Sequence, residues 1–71
     1  MEVDEFLHTV SADADVNIEL LKDLYRNDRL WDLIAARKIS DATIHLRSLQ
    51  PRVGLREAKM VIEAFAKEGR H

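Results

Sequence analysis

Three histidines, His8, His45 and His71, are the side chains of this sequence best suited to holding a metal or relaying a proton. They stand far apart in the chain, with none of the short spacing of a ligand pair. Surface or half-buried positions are the expectation for all three. Asp13, Asp15 and Glu19 bring carboxylates together as a calcium loop would. Such a loop also needs a glycine at its sharp turn and a glutamate in twelfth position, and this segment has neither. It reads as a solvated acidic loop. Ser11, Ser40 and Ser48 have no general base beside them and are accounted for as caps or helix-surface residues. No glycine-rich loop is present to cradle phosphate. These residues predict no catalysis, no cofactor and no metal. The chemistry that remains is binding, for which the bases Arg52, Arg56 and Lys59 are the candidates.

The charge is unevenly spread. Residues 1–37 hold nine acids and four bases, a net of −5, whereas residues 38–71 hold seven bases and four acids, a net of +3. Together they give the overall −2. A basic half suits an acidic partner surface or nucleic acid. The alternative is that the two halves attract each other inside the fold. Nucleic acid is disfavoured by the acidic first half and by the absence of aromatic residues among the bases.

Seventy-one residues suffice for a single domain, 1–71, with one core. A chain of this size buries roughly 60% of its unfolded surface. It retains on the order of 3–5 kcal/mol of stability, so pairing with a second copy is a further expectation. There is no cysteine, which excludes a disulfide scaffold and a thiolate metal site and suits a reducing cytoplasm. The first residues, Met1-Glu2-Val3-Asp4-Glu5, lack the basic and apolar regions of a signal peptide. No apolar run is long enough to span a bilayer.

Two glycines and one proline leave little punctuation for β-strands, and the fold class expected is all-α. Val3, Phe6, Leu7 and Val10 share one helical face, with a break expected at Ser11–Asp15. This predicts a short, loosely packed first helix. Asp15 or Asn17 is placed to cap the next helix, whose apolar face is Ile18, Leu21, Leu24 and Tyr25. Asn27-Asp28-Arg29 interrupts that face before Leu30, Trp31, Leu33, Ile34 and Ala35 resume it, so residues 17–37 form one bent helix or two. Trp31 and Tyr25 read as core residues before interface anchors. Ser40-Asp41 is expected to cap a helix that carries Ala42, Leu46 and Leu49 on one face, with Ile44 to its side, and ends before Pro51. Leu55, Ala58, Val61, Ile62 and Phe65 form the buried stripe of the last helix, which Gly69 stops, leaving Arg70 and His71 as a frayed tail. The prediction is four or five helices, the last two making a tight helical hairpin over residues 40–68.

That hairpin carries the one informative motif. Gly54-Leu55-Arg56-Glu57-Ala58-Lys59, with Glu63 beyond it, resembles the helix opening G-L-K-E-A-K of the C-terminal domain of the bacterial ribosomal stalk protein. The resemblance covers about residues 33–66. Ile44 and His45 stand where that family has isoleucine and lysine, and Leu33-Ile34 with Lys38-Ile39 looks like the lead-in of its short stand-alone relatives. Two departures are clear: Pro51-Arg52-Val53 precedes a single glycine where the family turn has two, and no flanking strand pattern is present. The resemblance implies a basic hairpin face that docks on a translational GTPase. Its contact residues would be His45, Arg56, Glu57 and Lys59, with Arg47 and Arg52 extending the patch and Gly54 setting the turn. The function expected is a non-enzymatic, cytoplasmic protein-binding module whose partner offers an acidic surface. The alternatives are a phage-encoded regulator of a host protein such as RNA polymerase, and a nucleic-acid-binding helical protein.

Overall fold

The computed structural model describes residues 2–70, and these form five α-helices. They are α1 (Val3–Ala14), α2 (Ile18–Tyr25), α3 (Asp28–Ala35), α4 (Ile39–Leu49) and α5 (Leu55–Glu68). No strand occurs among the described residues. His71 lies outside them, so its expected place in a tail is not described.

Capping chemistry decides where α2 and α3 begin. Asn17 ends the choice between itself and Asp15: its Oδ1 accepts the Glu19 amide at 2.8 Å. Asn27 does the same for α3, accepting the Leu30 amide at 3.0 Å. Residues 17–37 are therefore two helices, split because Asn27 leaves the helical region (φ −82°, ψ 107°) to cap the second. Asn27→Ala removes that acceptor from a part-buried amide. We expect a loss of about 1 kcal/mol in urea unfolding, with the slope of the transition unchanged.

Helix ends are handled differently. Asp15 (φ 55°) and Arg37 (φ 63°) are left-handed residues closing α1 and α3. At the end of α3 the Lys38 amide donates to the Leu33 carbonyl at 2.9 Å and the Arg37 amide to Ile34 at 3.0 Å, a paired motif usually built on glycine. At the end of α1 the Val16 amide reaches back to the Ser11 carbonyl at 3.2 Å. The same turn brings the Ser11 hydroxyl to the Val16 carbonyl at 2.6 Å.

Three expectations are corrected here. The first helix does not break at Ser11: it continues to Ala14, and Phe6, Leu7, Val10 and Ala14 are all buried. Its last turn is sealed by the Ser11–Val16 bonds, which the polar composition disguised. The α4 helix starts at Ile39, with Lys38 at its N-cap and no side-chain cap, so Ser40-Asp41 lies within its first turn. Leu49 is not carried inward but is 40% exposed.

One core joins all five helices. At its centre are the chain's four aromatic residues. Phe65 stacks on Trp31 with ring centres 5.2 Å apart and an interplanar angle of 4°. Tyr25 meets Phe65 edge-on at 5.7 Å, and Phe6 sits 5.8 Å from Phe65. The Trp31 indole N–H donates to the Tyr25 carbonyl at 2.7 Å, so this buried donor is satisfied. Trp31 and Tyr25 are thus core residues. Each helix packs on its neighbour in sequence, and α5 also packs on α1 and α3. No helix among the described residues is long and apolar enough to cross a membrane.

Candidate interaction surface on α4 and α5

Of all helix pairs, α4 and α5 share the most extensive contact. Ala42 on α4 and Ala58 on α5 are fully buried, and such small residues let helix axes approach closely. The connection between them is a turn in which the Val53 amide donates to the Gln50 carbonyl at 3.0 Å. Pro51 fixes φ at the turn's second position, and Val53 drops its side chain into the core, 7% exposed. Arg47 Nε also donates to the Val53 carbonyl, at 3.3 Å, tying α4 to the turn.

Gly54 is the N-cap of α5 with φ −68° and ψ 162°, a backbone conformation open to any residue. The glycine is therefore not needed for the chain to turn. Its missing Cβ instead leaves room for the Glu57 carboxylate, which a side chain at 54 would displace.

The expected contact residues fall into separate neighbourhoods. Arg52, Gly54 and Glu57 line a cleft with Asp15, Val16 and Asn17, where the α4–α5 turn meets the end of α1. Lys59 lines a different groove with Ile39, Ser40, Thr43, Ile44 and Leu55, an open channel of about 280 Å³ between α4 and α5. Arg56 and Lys59 are three residues apart and exposed on the outer side of α5. His45 is half-buried and lies about 100° round α4 from Ile44, outside that groove.

Leu55 requires a correction. It was expected in the buried stripe with Ala58 and Ile62, yet it is 59% exposed. Leu55 stands in the first turn of α5, ahead of the point where α5 is covered by the core. Ile44, on the facing helix, is 65% exposed. Sequence reasoning set Ile44 to the side of the Ala42–Leu46 face but did not pair it with Leu55. Lys59 reaches Glu63 at 3.9 Å in an exposed pair, whereas Arg52 and Arg56 form no ion pair among the described residues.

The acidic and basic halves do meet, at the far end of α5. Arg70 was expected to fray, but its guanidinium binds Asp28 at 2.8 Å and lies 5.9 Å above the Trp31 ring. Gly69, with φ 83°, ends α5 as expected and turns the chain toward α3. No group of three or more metal-ligating side chains gathers among the described residues. Compared with family models, with curated proteins and with solved structures, the chain matches none.

Proposed function

We propose that this chain is a protein-docking module that offers its α4–α5 face to a partner with an acidic surface. The observation that carries the reading is the pair Ile44 and Leu55, two large aliphatic side chains exposed on opposite walls of one groove. Single exposed apolar residues are ordinary on any surface, whereas neighbouring ones that share a groove mark a contact site. Lys59 edges the groove and the exposed Arg56 lies three residues before it on α5, outside the groove's lining; the two positive charges suit a partner that flanks an apolar side chain with carboxylates. The resemblance of Gly54-Leu55-Arg56-Glu57-Ala58-Lys59 to the stalk protein's helix opening supports a translational GTPase, or another part of the bacterial gene-expression machinery, as that partner.

The test compares wild type with Ile44→Asp and with the charge reversal Arg56→Glu/Lys59→Glu in affinity capture from bacterial lysate. All three positions are exposed, so stability should shift by only about 0.5 kcal/mol. The expected result is one captured protein lost from both variants, with the reversal the more sensitive to salt. If both variants capture the same proteins as wild type, this face is not the interface.

A further inference from the structure

The indole of Trp31 is held between two groups of different kinds. Phe65 stacks on it from within the core. The Arg70 guanidinium lies above the ring at 5.9 Å and bonds the Asp28 carboxylate at 2.8 Å. An electron-rich ring face beside a carboxylate is a receptor for a flat cation: the ring quadrupole attracts the charge and the carboxylate directs the guanidinium N–H groups. Asp32 stands one helical turn beyond Asp28 and adds a second acid to the rim. A groove of about 420 Å³ between α3 and the end of α5, lined by Trp31, Asp32, Ile34, Ala35, Arg37 and Ala66, adjoins the Arg70–Asp28 pair.

We infer that this groove is a binding site for an arginine side chain presented by another protein segment, and that Arg70 is its built-in competitor. The site lies at the opposite end of α5 from Leu55, so it is independent of the α4–α5 face. The internal occupant is weakly held. Arg70 and Asp28 side chains are 42% and 82% exposed, and both the exposed ion pair and the exposed cation–π contact are small. Together they bias the closed arrangement by roughly five- to thirtyfold. Gly69, whose left-handed φ is easily adopted and easily left, is the pivot on which Arg70 swings. An incoming arginine gains the same ring and carboxylate once Arg70 is displaced. Its flanking residues gain the apolar wall of Ile34, Ala35 and Ala66.

Trp31 is the chain's single tryptophan, so its fluorescence reports on this site without a label. The experiment titrates N-acetyl-glycyl-arginine amide into wild type, Arg70→Ala and Arg70→Ala/Asp28→Asn, with the neutral citrulline peptide as control. Circular dichroism first establishes that each variant is folded; should Arg70→Ala lose helix, Arg70→Gln replaces it. We expect saturable binding to the Arg70 variant on the order of 10 mM, five- to thirtyfold weaker in wild type. The citrulline peptide should not bind, and Asp28→Asn should abolish the response. Equal affinity for wild type and the Arg70 variant, no saturable response in either, or full affinity without the Asp28 carboxylate would each overturn the assignment.

Discussion

Phe65→Ala should leave the chain unfolded, or nearly so, at 25 °C. Phe65 is fully buried and is the ring on which Phe6, Tyr25 and Trp31 converge from three other helices. Removing a buried phenylalanine costs about 3–5 kcal/mol, as much as a core of this size supplies in total. The vacated space borders α1, α2 and α3 together, so no single helix can move in to fill it. Far-ultraviolet circular dichroism should show most of the helix lost, and the Trp31 emission should shift to that of a solvated indole. Phe65→Leu keeps most of the volume and should remain folded with a lowered midpoint. An Ala variant that unfolds with wild-type stability would mean that the ring cluster is not the centre of the fold.

Ala58→Leu should cost about 1–3 kcal/mol by the opposite route. Ala58 is fully buried on the face of α5 that meets the core. Three extra carbons there must push a neighbouring helix outward or force strained rotamers. In a domain this small the change corresponds to a melting point lower by roughly 5–20 °C. Calorimetry decides it: an unchanged midpoint would show that the helices beside Ala58 have room to spare.

Both predictions rest on residues that sequence reading placed correctly. Apolar spacing identified the faces of α2, α3 and α5 because helix burial repeats with the helical period, and Phe65, Ile62, Leu21 and Leu30 sit where that period puts them. The points that escaped are set by interactions between elements. Ser11 looks like a helix breaker until its hydroxyl finds the Val16 carbonyl. Leu55 satisfies the stripe of α5 yet stands beyond the end of the core, a fact that depends on where α4 lies. Arg70 gives no sign in sequence of reaching Asp28, because that contact requires the whole fold to bring α3 beside the end of α5. The candidate site was legible in its charges, Arg56 and Lys59. In its apolar half Ile44 was set off the buried face of α4, but the exposure of Leu55 beside it was hidden, and His45 was assigned to the site although it lies to one side.

The aromatic cluster also ties together distant parts of the chain. Its members come from α1, α2, α3 and α5, and Phe6 and Phe65 stand near opposite ends of the chain. Consecutive helices pack on one another and need only short loops closed, steps that cost little chain entropy and proceed within microseconds. The Phe6–Phe65 contact must close a loop of nearly the full chain. Docking of α1 on α5 therefore closes the longest loop of any contact in the aromatic cluster, and the rim of one phenylalanine ring joins the two ends of the chain.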